Sequence, residues 1–124
     1  PANIEAMIKS GDPLIGSVCV VGDARLYNTA LIVLDPDYAN AWAAARQITG
    51  SITTLASHPD VVAAVAAGVE RGNQRLSRVE QVKRFTLLAA EWPAAGDELT
   101  ATLKLKRKAI EHKYGQNIEQ MYVN

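Results

Sequence analysis

Ile15-Gly16-Ser17-Val18-Cys19-Val20-Val21 and Tyr27-Asn28-Thr29-Ala30-Leu31-Ile32-Val33-Leu34 decide the fold. Both runs are β-branched or apolar almost throughout, and Gly22-Asp23-Ala24-Arg25 lies between them. Two such runs around a turn-forming segment predict an antiparallel hairpin. Their near-continuous apolarity predicts cover on both faces. A hairpin at the head of the sheet favours α+β over a doubly wound fold.

Working outward, Ile4, Met7 and Ile8 recur at helical spacing after Asn3 and predict a short helix over about residues 2–10, stopped by Gly11-Asp12-Pro13. Asp35-Pro36 after the second run is a helix start, with Asp as cap and Pro in the first turn. Tyr38, Ala41, Trp42 and Ala45 mark the expected buried face of a helix to about Gln47, broken by Thr49-Gly50-Ser51. Ser57-His58-Pro59-Asp60 starts a longer helix with the stripe Val62, Val65, Ala66 and Val69, continuing through Asn73 to Leu76. Ser77-Arg78-Val79-Glu80 has capping-box spacing, but no long helix follows, so it reads as a turn. Val82 to Ala89 reads as a third strand, and Glu91 to Leu103, with Pro93, Gly96 and no periodicity, as a loop expected to be mobile. Ala109, Ile110, Tyr114, Ile118, Met121 and Tyr122 give a last helical stripe that Gly115 kinks or divides. The expected fold is a small sheet of about three strands, including the antiparallel hairpin, flanked by helices.

At 124 residues the chain is expected to be one domain around one modest core. Its 13 basic and 13 acidic residues balance, so no long-range field draws in nucleic acid or anionic lipid. Cys19, as the single cysteine, excludes an internal disulfide and suits a reducing compartment. No apolar run approaches the ~20 residues of a membrane-spanning helix, and no signal peptide is visible. The start, Pro1-Ala2-Asn3-Ile4-Glu5, lacks an initiator Met and opens on a helix. The chain therefore reads as a piece of a longer protein, with a trimmed tag or processed terminus as the alternative.

The cations are unevenly placed. Lys104, Lys106, Arg107, Lys108 and Lys113, with His112, stand against the single acid Glu111 between positions 104 and 113. Thr100 and Thr102 lead into this cluster, at or near an expected helix start. Fixed cations there oppose the helix macrodipole, at roughly 0.3–1 kcal/mol each. A fold that keeps them has a use for an anion, and phosphate or carboxylate is the natural one.

Leu99-Thr100-Ala101-Thr102-Leu103-Lys104-Leu105-Lys106-Arg107 resembles the C-terminal lysine motif of the adenylate-forming enzymes. The form it resembles is that of long-chain fatty acid–CoA ligases, Leu-Thr-Pro-Thr-Leu-Lys and then a basic pair. Ala101 stands where the family commonly has Pro, which loosens the loop and leaves the charge alone. Pro1 to Glu5 is similar to the segment after that family's domain hinge. Pro13-Leu14-Ile15-Gly16 with Val20-Val21-Gly22-Asp23, Tyr27 to Asp35, and Glu80-Gln81-Val82-Lys83-Arg84-Phe85 are similar to the three strands of its C-terminal domain, in order.

The resemblance implies that residues 1–124 are the mobile C-terminal domain of such a ligase, lacking the large N-terminal domain that binds ATP, Mg²⁺ and the long-chain fatty acid. Lys104 is then the catalytic lysine of adenylation, on an arm that withdraws before coenzyme A attacks. Two oxyanions at about 4 Å repel by about 4 kcal/mol at an effective dielectric of about 20, and an ammonium between them offsets this. Thr100 and Thr102 are candidate nucleotide contacts, against a plain reading as loop hydroxyls or caps. Lys106 and Arg107 are candidate phosphate contacts, against a plain reading as surface charge, which Lys108 shares. Glu5 could support the hinge loop, and Trp92 could anchor the mobile loop or dock on the N-terminal domain. Cys19, Trp42 and Phe85 read as core. His58 and His112 share no metal spacing, and no metal site is expected.

No nucleophile elbow or phosphate-binding glycine loop appears, so the chain alone is expected to be inactive. Expected partners are its own N-terminal domain and the three substrates, in the cytoplasm, with peripheral contact to the inner membrane face through the absent domain left open. The competing reading is a stand-alone module that holds an anionic partner on a basic helix 104–113. Scarce aromatic platforms argue against nucleic acid there. An assembly domain using the alanine-rich helix 59–76 as a dimer face is the third reading.

Overall fold

The sheet has three strands in the order β1-β2-β3, with β1 (Ile15–Val21) antiparallel to β2 (Asn28–Leu34) and β2 parallel to β3 (Val82–Leu87). The computed structural model describes residues 1–123. Contacts divide the chain into two compact units, Pro1–Glu91 and the segment from Trp92 onward, where the sequence led to an expectation of one core.

In the first unit the expected hairpin forms, with Val18 opposite Ile32 and Val20 opposite Ala30. A bulge falls between Ile15 and Ser17. A Cβ on the intervening Gly16 would come within 2.7 Å of the Asp35 amide, so only glycine lets the strand pass there. The turn is closed by Ala24 at φ 58°, a left-handed residue without glycine. Strand β2 is buried from Thr29 to Leu34, which bears out the expectation of cover on both faces.

The parallel pairing of β3 needs a crossover, supplied by α2 (Pro36–Ala45), α3 (Ile52–Leu55) and α4 (Pro59–Asn73). The Asp35 carboxylate caps α2 by accepting from the Tyr38 amide at 2.9 Å. The expected face of α2 is wrong. Ala39 and Ala43 are buried, Trp42 is half-buried, and Tyr38, Ala41 and Ala45 are exposed. In so alanine-rich a helix either face can meet a core, and the Arg46 guanidinium 3.9 Å over the Trp42 ring covers the indole instead. The helix ends at Ala45, two residues short of the expected Gln47. Gln47 takes φ 58°, and the amides of Gln47 and Ile48 donate to Ala44 and Ala43 at 3.1 and 2.9 Å, a Schellman closure.

Helix α4 buries Val61, Val65 and Val69 in the core and Gly68 against the Gly11-Asp12 loop, while Ala66 of the expected stripe is exposed and Val62 half-buried. Its glycines admit α1 (Ala2–Lys9): a Cβ on Gly72 would lie 2.7 Å from the Met7 carbonyl oxygen. Asn73 ends α4 by gripping β3 twice, donating to the Val82 carbonyl at 2.9 Å and accepting from the Val82 amide at 2.8 Å. Glu5, considered for the hinge loop, is buried and accepts from the Val20 amide at 2.8 Å, tying α1 to β1. Ser77 and Glu80 form the expected turn. The Ser77 hydroxyl and amide donate to the Glu80 carboxylate at 2.8 and 3.1 Å and hold its pKa below the ordinary carboxylate value.

The second unit holds α5 (Arg107–Lys113) and α6 (Gly115–Gln120), divided at Tyr114 beside the glycine that the stripe singled out. Ile110, Ile118 and Met121 are buried.

Candidate functional site

The later part of the segment expected to be a loop, Glu91 to Leu103, forms one arm and the turn of a tight hairpin over 98–106. Leu99 pairs with Leu105 in an isolated antiparallel bridge, and the Lys106 amide donates to the Glu98 carbonyl at 2.8 Å. Nearer the tip, the Thr100 amide donates to the Lys104 carbonyl at 2.8 Å and the Leu103 amide to the Thr100 carbonyl at 3.0 Å. Leu103 closes this turn at φ 67°, the left-handed region that glycine usually fills. A non-glycine residue there costs roughly 1–2 kcal/mol. The hairpin therefore holds Lys104 in place with strained backbone rather than slack chain.

The expected basic helix over 104–113 is corrected. Helix α5 begins only at Arg107, with Lys106 at its cap, and Lys104 lies at the tip of the hairpin, just before the bridge residue Leu105. The motif's cations then have different fates. Lys106 donates through Nζ to the Gly96 carbonyl at 2.9 Å. Arg107 is half-buried and has a partner. Lys104 is exposed, and no described residue holds its ammonium. Lys108 is also exposed, on the first turn of α5.

Thr100 accepts from the Lys104 amide at 3.0 Å, and its hydroxyl lies 3.3 Å from that of the exposed Thr102. Both hydroxyls thus serve the loop in this structure, and Thr102 also faces solvent.

Beneath the hairpin lies a buried polar group that the sequence did not point to. The Glu98 side chain is 5% exposed and accepts from Lys113 Nζ at 2.7 Å and from the Tyr114 hydroxyl at 2.8 Å. Lys113 also reaches Asp97 at 3.4 Å. Trp92 Nε1 donates to the Tyr114 oxygen at 3.2 Å, so the indole acts as an anchor of this segment. The hydrogen bond to Glu98 holds the Lys113 ammonium's pKa well above the ordinary lysine value. Burial, and then the Glu98 carboxylate, raise that of the Tyr114 phenol. Glu98 was invisible because its partners lie fifteen and sixteen positions downstream; the one available signal was an acid beside the motif facing a basic helix.

Among the described residues no group of three His, Cys, Asp or Glu could hold a metal ion. His58 caps α4, its Nδ1 accepting from the Asp60 amide at 3.1 Å, and His112 is exposed. Cys19 is buried and forms no disulfide.

Known proteins extend this picture. The chain is 48% identical over its full length to a Mycobacterium tuberculosis protein named as a fatty-acid–CoA ligase, fadD11, of which it covers 22%. It is 35% identical, over 98% of its length, to the long-chain-fatty-acid–CoA ligase FadD15 of the same organism, covering 20% of that protein. The chain thus spans about a fifth of the length of these relatives. Two solved structures share the fold at 20% identity. One is the adenylation domain of a carboxylate reductase from Mycobacterium chelonae, with a TM-score of 0.69 over 99% of this chain and 18% of that one. The other is a didomain of the carboxylic acid reductase from Segniliparus rugosus in complex with AMP, with a TM-score of 0.70 over 98% of this chain and 15% of that one. The family model described as the AMP-binding enzyme C-terminal domain matches residues 1–124, and the chain belongs to that family.

Proposed function

We propose that this chain is the mobile C-terminal domain of a long-chain fatty acid–CoA ligase, and that Lys104 supplies the cation of its adenylation step. The observation that carries the reading is the contrast within one basic cluster. The Lys106 and Lys113 ammonium groups are held by Gly96, Asp97 and Glu98; of the two exposed cations of the cluster with no described partner, Lys104 and Lys108, Lys104 is the one presented on the strained hairpin. Family membership over the whole chain and the ligase names of its relatives support the same assignment.

The N-terminal domain holds ATP and the fatty acid, and Mg²⁺ accompanies the ATP phosphates. A fatty carboxylate oxygen attacks the α-phosphorus, the bond to pyrophosphate breaks, and an acyl-adenylate forms. Nucleophile and phosphate are both anionic, so their approach is opposed by charge, and the Lys104 ammonium offsets that repulsion and orients the carboxylate. The domain then turns, the thiolate of coenzyme A attacks the acyl carbon, and AMP leaves with the bonding pair. Lys104 takes no part in this second step. Among the described residues no helix is long and apolar enough to cross a membrane. We assign the full protein to the cytoplasm, with membrane contact, where it occurs, made by the N-terminal domain.

Two observations weigh against a stand-alone anion-binding or assembly module. Helix α5 has seven residues, and the cations at its two ends, Lys106 and Lys113, are already occupied. The large apolar residues of α4, Val61, Val65 and Val69, are taken up by the chain's own core, so what the helix exposes of its apolar residues is alanine.

The test is Lys104→Ala in the full-length protein, with the two half-reactions measured separately. Adenylate formation should fall ~100-fold, the usual effect of removing one preorganised charge. Thioester formation from preformed acyl-adenylate should hold. Equal loss in both rejects the role.

A further inference from the structure

Glu98 has no part in the chemistry above, yet it is the best-held side chain around the lysine hairpin. Its carboxylate is 5% exposed and meets Lys113 Nζ at 2.7 Å and the Tyr114 hydroxyl at 2.8 Å, while its own carbonyl accepts the Lys106 amide at 2.8 Å. One residue is thus fixed by backbone to the second strand of the hairpin and by side chain to the end of α5. The neighbouring Leu99, 4% exposed, pairs with Leu105. Beyond that rung only Thr100 to Lys104 project.

A buried carboxylate is a poor choice for stability alone. Removing it from water is costly, and an apolar side chain of similar volume commonly does as well. What the charged network adds is a single geometry. Two donors converge on one carboxylate from fixed directions, and the Tyr114 ring is itself set by the Trp92 indole. An ammonium that must enter between two reacting oxyanions needs such a base, because a displacement of about 1 Å costs ~100-fold in rate.

We infer that Glu98 is a positioning residue for Lys104, locking the stem of the lysine hairpin onto the Lys113–Tyr114 end of α5 so that the ammonium is presented from a fixed base. The inference rests on the role proposed for Lys104. It predicts damage confined to the step that uses the lysine.

The experiment compares Glu98→Gln, Tyr114→Phe and Lys104→Ala in the full-length protein, measuring fatty-acid-dependent pyrophosphate release and, separately, thioester formation from preformed acyl-adenylate. Glu98→Gln should slow adenylation ~10-fold through kcat rather than KM, with the thioester step unchanged within about twofold. Tyr114→Phe keeps the ring and the ion pair, and so stays informative where a Glu98 variant fails to fold. It should slow adenylation ~3-fold, with the same selectivity. Equal loss in both half-reactions, or parental adenylation in Tyr114→Phe and Glu98→Gln, overturns the inference. Parental rates in those two with a selective loss in Lys104→Ala remove the role of Glu98 and keep that of the lysine. Parental adenylation in Lys104→Ala removes both.

Discussion

Thr100 and Lys104 clasp each other across the tip of the hairpin. The Thr100 amide donates to the Lys104 carbonyl at 2.8 Å, and the Lys104 amide donates to the Thr100 hydroxyl at 3.0 Å. Lys104, whose ammonium no described residue holds, is thereby fixed at its own backbone, four positions from its clasp.

Removing the hydroxyl separates positioning from nucleotide contact. Thr100→Val keeps the shape and leaves the Lys104 amide to water, so stability should change by less than about 1 kcal/mol. Adenylation should slow ~5-fold in kcat, and Thr100→Ser should restore it, because Ser retains the acceptor. Steady-state kinetics decide between the two readings: a raised KM for ATP at unchanged kcat would make Thr100 a nucleotide contact instead.

The grip of Asn73 on Val82 makes a stability prediction in the other unit. Its amide satisfies both the N–H and the C=O of Val82, at 2.8 and 2.9 Å, in a buried setting. Asn73→Leu leaves both groups unpaired at the start of β3, and the loss should be about 2–4 kcal/mol by denaturant unfolding. Asn73→Asp keeps the acceptor and loses the donor, so it should also destabilise. A change under about 0.5 kcal/mol in Asn73→Leu would show that water replaces the bonds.

The pH dependence of the second unit follows from Tyr114 and Lys113. Both pKa values are raised in the folded chain, the tyrosine by burial and then by Glu98, the lysine first by Glu98. A raised folded-state value contributes stability that is complete below the unfolded value and is lost as pH climbs through the folded one. The contribution is therefore flat through neutrality and fades only above the ordinary tyrosine value of 10.0. Ultraviolet titration, with Tyr114→Phe as the blank, should show Glu98→Gln moving the phenol's titration down part of the way, since burial persists. An unmoved titration would mean that Glu98 does not meet Tyr114 in solution.

What the sequence made legible was what is local. Two apolar runs around Gly22 to Arg25 form the hairpin, Asp35-Pro36 starts a helix, and Gly115 marks the break before α6. Less legible was anything set by distant partners or by unusual backbone. The choice of Ala39 and Ala43 over Ala41 and Ala45 is made by the core, not by the helix, because all four are alanine. Gln47 and Leu103 take left-handed conformations that their residue types do not advertise, and these end α2 and close the lysine hairpin. Lys104 was singled out through its motif alone. Glu98 was not, because a buried acid is recognised by the donors that fold back onto it, and these come from the far side of the loop.

The most direct measurement is fatty-acid-dependent exchange of labelled pyrophosphate into ATP by the full-length protein, parent against Lys104→Ala, because exchange reports adenylation and nothing after it. With Lys104 as the adenylation cation, exchange should fall ~100-fold at saturating ATP and fatty acid. Exchange at the parental rate would contradict that role.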